Sequence, residues 1–197
     1  MSVSLPDTAV PRPDADDEAT SWALAARSGD PVAQAAFVRA TQRDVWRLCA
    51  SLIDRGSADD LAQETFLRAF RSLPAFEARS TARTWLLGIA RRVCADHLRT
   101  VVRRRKLAAA VAVRAEPGLR EPDPAGAVDV RDLLRRLPDE RRAAFVLTQV
   151  LGLPYAEAAA VEGVPVGTIR SRVARARADL VATLLHDPSE NPVSEGN

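Results

Sequence analysis

From Arg79 to Lys106 the chain reads RSTARTWLLGIARRVCADHLRTVVRRRK, nine lysine and arginine side chains against one acid, Asp96. Its middle has a helical period. Leu86, Ile89, Ala90, Val93, Leu98 and Val101 form an apolar stripe, and Arg92, Asp96, Arg99 and Arg103 recur at helix spacing on another face. A helix with one apolar flank and one arginine-rich flank packs on a body and turns its charge towards a polyanion. The segment before it, Arg79, Ser80, Thr81, Arg83 and Thr84, is short, polar and basic, and it ends at Trp85. Hydroxyls, guanidiniums and an aromatic suit an unstacked nucleic-acid strand better than an intact duplex. Taken alone, the same residues also describe a solvated basic face above a core tryptophan.

Composition narrows the choice. The 197 residues suffice for one domain or two small ones, and the formal charge of +2 decides nothing. Its distribution is more telling. Residues 1–30 hold six acids (Asp7, Asp14, Asp16, Asp17, Glu18, Asp30) against Arg12 and Arg27, so the positive charge lies downstream. Lys106 is the sole lysine, and arginine suits forked phosphate and guanine contacts. There is no signal-peptide pattern and no apolar run of bilayer length, so a cytoplasmic location without membrane insertion is expected. The isolated Cys49 and Cys94 fit a reducing compartment. Cys94 and His97 sit one helical turn apart, but only the distant Cys49 and His186 remain to complete a metal site. No metal, cofactor or small-molecule substrate is expected. Nucleophile–base pairs, carboxylate dyads and phosphate-cradling glycine loops are missing from the pattern, which argues against an enzyme.

An all-α chain is expected, built as two small helical domains joined by a flexible linker. Residues 1–17, rich in proline and acid, read as a disordered tail. The first domain spans 18–106. Its helices begin near Glu18, at Pro31 behind an Asp30 cap, and at Ser57-Ala58-Asp59-Asp60. That third helix runs to Leu73 with Ala62, Phe66, Ala69, Phe70 and Leu73 inward, leaving Asp59, Asp60, Gln63, Glu64, Leu67 and Arg68 on the other side. These six are either a solvated face or a protein-docking face beside the nucleic-acid face. Pro117, Gly118, Pro122, Pro124 and Gly126 mark residues 107–127 as the linker.

The second domain, 128–187, has a helix through Leu133, Leu134 and Leu137, then one from Asp139 that Gly152 ends. It closes with LPYAEAAAVEGVPVGTIRSRVARARADLVATLL, Leu153–Leu185. Two helices joined at Glu162-Gly163-Val164-Pro165 make a helix-turn-helix, whose second member enters a major groove by its N-terminal part. Thr168, Arg170, Ser171, Arg172 and Arg175 then reach bases and phosphates, while Ile169, Val173 and Ala176 face the core. The competing reading is a plain helix pair with a basic exterior. Residues 188–197 read as a second disordered tail.

Four of these stretches together resemble the extracytoplasmic-function (ECF) group of bacterial RNA polymerase sigma factors. They are DDLAQETFLRAF at Asp59–Phe70, STARTWLLGIARRVCADHLR at Ser80–Arg99, LPDERRAAFVLTQVLGLPYAEAA at Leu137–Ala159 and VPVGTIRSRVARAR at Val164–Arg177. The resemblance implies that the domains are sigma regions 2 and 4, without a third region between them. It implies docking of core polymerase, at the largest-subunit clamp helices and the flap, with Asp59, Asp60, Gln63, Glu64, Leu67 and Arg68 on the clamp-helix face. It implies capture of the promoter −10 element by Arg79, Thr81, Arg83, Thr84, Trp85, Arg91, Arg92, Arg99 and Arg103. Readout of the −35 element would fall to Thr168, Arg170, Ser171, Arg172 and Arg175. An anti-sigma protein is a further implied partner. Ala82, Arg92 and Ala158 depart from the family's usual aromatic, asparagine and larger aliphatic. The alternatives are a stand-alone helix-turn-helix regulator, and a sigma-mimicking adaptor that binds proteins and no DNA.

Overall fold

A computed structural model describes residues 15–111 and 130–185, all of its regular structure helical. The expectations for residues 1–14, for the linker beyond 111 and for the end of the chain beyond 185 lie outside the described residues. In order the helices are α1 (Ala15–Ala26), α2 (Pro31–Leu52), α3 (Arg55–Ser72), α4 (Ala82–Val111), α5 (Val130–Arg136), α6 (Asp139–Phe145), α7 (Tyr155–Glu162) and α8 (Val166–Leu185). Two expected boundaries move. Helix begins at Ala15, inside the expected tail, and α4 continues five residues past 106.

The first unit is α1 to α4. Asp30 caps α2 as its position before Pro31 implies, its carboxylate accepting from the Val32 N–H at 2.9 Å. The start of α3 differs from the expectation. Asp54, rather than Ser57, is its cap, and the Asp54 side chain accepts from the Ser57 N–H at 2.7 Å. The helix therefore opens at Arg55, a turn earlier. Its buried face is also rotated: Ala58, Leu61, Thr65 and Ala69 point inward, with Ala62, Phe66 and Phe70 only half-buried. Thr65 is tolerated because its hydroxyl donates back to the Leu61 carbonyl at 2.7 Å. Phe37, Val45 and Leu48 of α2 meet Leu86, Leu87 and Ala90 of α4 in the core. Phe37 and Phe66 pack edge-to-face with centroids 6.5 Å apart.

In the second unit the single helix expected from Asp139 is divided. After Phe145 the chain widens into one π turn, Val146–Val150, and the Leu151 N–H bonds the Val146 carbonyl at 2.9 Å. α7 ends on Gly163 at φ 66° and ψ 34°, the left-handed conformation open to glycine, and the Val164 N–H closes onto the Ala159 carbonyl. That turn sends the chain into α8, whose Ile169, Val173 and Ala176 are buried as the sequence period implies.

The two units do not stand apart. α7 lies along α4, and buried apolar side chains of both units form one continuous cluster. Ala82 and Ala158 are both wholly buried.

Phe37→Ala should cost about 3–5 kcal/mol, read by urea unfolding of the full chain. Asp54→Ala should cost about 1 kcal/mol. Gly163→Ala should cost about 1–2 kcal/mol by forcing a Cβ into the left-handed region.

Candidate nucleic-acid and protein interfaces

α3 presents an exposed row. Asp59, Asp60, Gln63 and Leu67 face solvent, and Leu67, at 46% exposure, is an apolar side chain held in water. The row borders a groove of about 540 Å³ between α2 and α3, lined by Val38, Gln42, Trp46, Ala62, Gln63 and Phe66. Asp59 is fixed at its edge, accepting from the Trp46 indole N–H at 2.9 Å. Glu64 and Arg68 are half-buried and joined at 2.7 Å, and Arg68 also reaches Asp96 of α4 at 2.7 Å. Arg68 and then Arg99 hold the Asp96 carboxyl below its ordinary range. Of the six residues expected here, four are open to a partner, while Arg68, paired with Glu64 in its own helix, ties α3 to α4.

The loop before α4 turns sharply at Ala78, whose φ of 53° is left-handed. Phe76 beneath it packs on Trp85 with ring centroids 4.9 Å apart. Thr81 acts as the cap of α4: its Oγ1 accepts from the Thr84 N–H at 3.2 Å, and its hydroxyl donates to the Thr84 hydroxyl at 2.9 Å. The nine residues expected to meet the strand divide at this point. Arg79, Arg92, Arg99 and Arg103 are exposed, Arg79 pairing with Glu77 and Arg99 with Asp96. Arg83, Thr84 and Arg91 instead turn under the second unit. Arg83 donates to Asp44 at 2.6 Å and to the Leu151 carbonyl, just past the π turn, at 2.7 Å. The Thr84 hydroxyl donates to Glu157 of α7 at 2.5 Å. Arg91 donates to Glu162 at 2.6 Å. Trp85 lines a cleft of about 400 Å³ with Ser80, Thr84, Gly88 and Arg92 on one side and Ala160 to Gly163 on the other.

On α8, Arg170, Ser171 and Arg175 are exposed, while Thr168 is half-buried. Ser171 donates to the Thr168 carbonyl at 2.9 Å. Arg172 is drawn aside, pairing with Glu140 at 2.5 Å and with Glu162 at 3.6 Å.

Glu162 is thus the meeting point of Arg91 and Arg172, its side chain only 5% exposed. Neither it nor Glu157, Asp44 or Arg142 is evident from the sequence. Glu162 sits beside Gly163 in what reads as turn chemistry, and no periodicity announces a partner 71 residues away.

Residues 37–105 match the family model described as sigma-70 region 2, and residues 127–180 the one described as sigma-70, region 4. The ECF RNA polymerase sigma factor SigC of Mycobacterium tuberculosis is 54% identical over 175 residues, covering 85% of this chain and 92% of that protein. The ECF RNA polymerase sigma-E factor of Escherichia coli K12 is 33% identical over 164 residues, covering 77% and 86%. Among solved structures, CnrH in complex with the cytosolic domain of CnrY aligns with a TM-score of 0.66 at 28% identity, covering 88% of this chain and 99% of that one. The sigma factor RpoE of Bartonella quintana, crystallised with the anti-sigma factor NepR, aligns at 0.61 with 30% identity, covering 76% and 95%. With the two regions matched in order over more than half its length, the chain belongs to the ECF group of RNA polymerase sigma factors.

Proposed function

We propose that this chain is a promoter-recognition subunit without catalysis of its own: it binds core RNA polymerase in the cytoplasm, directs it to particular promoters and helps open them. The observation that carries the reading is the succession of a region 2 unit and a region 4 helix-turn-helix, each with an open face of fitting chemistry. Asp60, Gln63 and Leu67 on α3, with Asp59, Glu64 and Arg68 around them, form the polymerase-docking face. The loop and α4 from Arg79 to Arg103 receive the −10 strand, with Arg79, Thr81, Trp85, Arg92, Arg99 and Arg103 accessible first. Extruding bases costs a few kcal/mol each, and a pocket that stacks them offsets this. Arg170, Ser171 and Arg175 read the −35 duplex together with Thr168 and Arg172. A solved relative crystallised with an anti-sigma factor supports such a protein as a partner here.

Arg83, Thr84 and Arg91 serve the strand only after α7 has moved. In the closed arrangement Glu157 and Glu162 occupy the donors that phosphates would otherwise take. The adopted reading therefore includes separation of the two units on polymerase.

With purified core polymerase and a pool of genomic promoter fragments, the chain should yield promoter-specific abortive products. Asp60→Lys combined with Glu64→Lys should reduce them about tenfold or more, a loss of at least about 1.4 kcal/mol in docking. No product, alongside tight duplex binding by the protein alone, would favour a stand-alone regulator instead. Arg170→Ala should lower −35-dependent initiation by about 1–3 kcal/mol, the range of one good base contact, without altering polymerase affinity. Glu162→Gln should raise the free protein's affinity for a mixed-sequence single-stranded oligonucleotide several-fold by fluorescence anisotropy, since Arg91 loses its anionic partner.

A further inference from the structure

Cys49 of α2 and Cys94 of α4 are 45 residues apart, yet their Sγ atoms lie 3.8 Å from each other, both side chains wholly buried. Polymerase docking and promoter recognition use neither. Two thiols in contact inside a core can be inert filling, because burial in apolar surroundings suppresses the thiolate. The surroundings here are not simply apolar. Arg91 stands on the same helix three residues before Cys94. Arg142 of α6 is inserted from the second unit, only 7% exposed, and its Nε is buried without a hydrogen-bond partner. Among the described residues its ion pair is with Asp139, at 2.5 Å. The hydrogen bond it shares with Cys49, with the nearby charges of Arg91 and Arg142, pulls the Cys94 thiol below its ordinary range. The same sulfur–sulfur hydrogen bond, together with burial, pushes Cys49 up. Arg91 on its own helix and Arg142 favour a thiolate at Cys94 over one at Cys49.

We propose that Cys49 and Cys94 are a redox-active dithiol, which hydroperoxides convert to an intramolecular disulfide joining α2 to α4 beneath the second unit. The Cys94 thiolate attacks one peroxide oxygen, the O–O bond breaks, and hydroxide leaves, taking up a proton as water. The sulfenic acid on Cys94 is then attacked by the Cys49 sulfur. An S–S bond forms, the S–O bond breaks, and a second water leaves with the Cys49 proton. Two thiols lose two electrons, and one peroxide gains them. The sulfurs need to approach by about 1.8 Å to reach bonding distance. Peroxide is little larger than water and enters through local opening of the core. The inference is independent of the sigma-factor reading, since it rests on the two sulfurs and the cations beside them.

The test treats the full chain with graded hydrogen peroxide, quenches with iodoacetamide and maps peptides without reduction. A Cys49–Cys94 cross-linked peptide should appear and be lost again on adding dithiothreitol. In Cys49→Ser, dimedone should trap a sulfenic acid on Cys94, whereas Cys94→Ser should give little label on Cys49. Arg142→Met should slow cross-linking several-fold, and Arg142→Lys should restore most of the rate. Absence of the cross-linked peptide from the unsubstituted chain, at peroxide levels that oxidise either thiol, overturns the proposal without any variant having to fold. Preferential labelling of Cys49, or cross-linking that is unaffected or faster in Arg142→Met, overturns the assigned roles.

Discussion

A carboxylate taken almost wholly out of water has to keep cations beside it, and Glu162 keeps two. Arg91 comes from the long basic helix and Arg172 from the helix that follows the turn, so one side chain ties both units to a single point. Burying such a group is costly unless geometry and additional hydrogen bonds compensate, and removing one partner costs more than the pair contributes. The arrangement is therefore better understood as specifying where α7 rests on α4 than as a source of stability. Thr84 on Glu157 and Arg83 on the Leu151 carbonyl repeat the same logic within two turns of helix. The polar groups proposed to meet a nucleic acid here face acids and a carbonyl.

Much of the fold was legible because period and punctuation agreed. Asp30 before Pro31, glycine at position 163, and Ile169, Val173 and Ala176 at helix spacing each have a local cause that needs no knowledge of distant residues. The failures are equally physical. Asp54 and Ser57 are both good caps, and only the observed hydrogen bond from the Ser57 N–H to Asp54 decides between them. The π turn at Val146–Val150 leaves no mark on an apolar run, since an α-helix with the same residues would look as plausible. Thr65 reads as polar, yet its hydroxyl is satisfied within its own helix and so can be buried.

The site was legible as a set of residue types and less so as a surface. Exposed Asp60, Gln63, Leu67, Arg92, Arg170 and Arg175 follow from amphipathic patterning alone. What patterning cannot supply is the partner of a charged residue lying in another unit. Arg83, Arg91 and Arg172 look no different in sequence from Arg92 and Arg175, yet they are spoken for. The buried thiols were invisible for the same reason, being two isolated cysteines until the packing of α2 on α4 brings them together.

α4 has 30 residues, so at about 1.5 Å per residue it is a rod roughly 45 Å long. Its first half is clamped among α2, α3 and α7, whereas Val102 to Ala108 are exposed. The rod's free end leads directly into the segment connecting the two units. It is therefore a lever with its fulcrum at the core. The half of α4 that α7 rests on and the exposed half are one continuous rod, so where the first is held fixes the direction in which the second points.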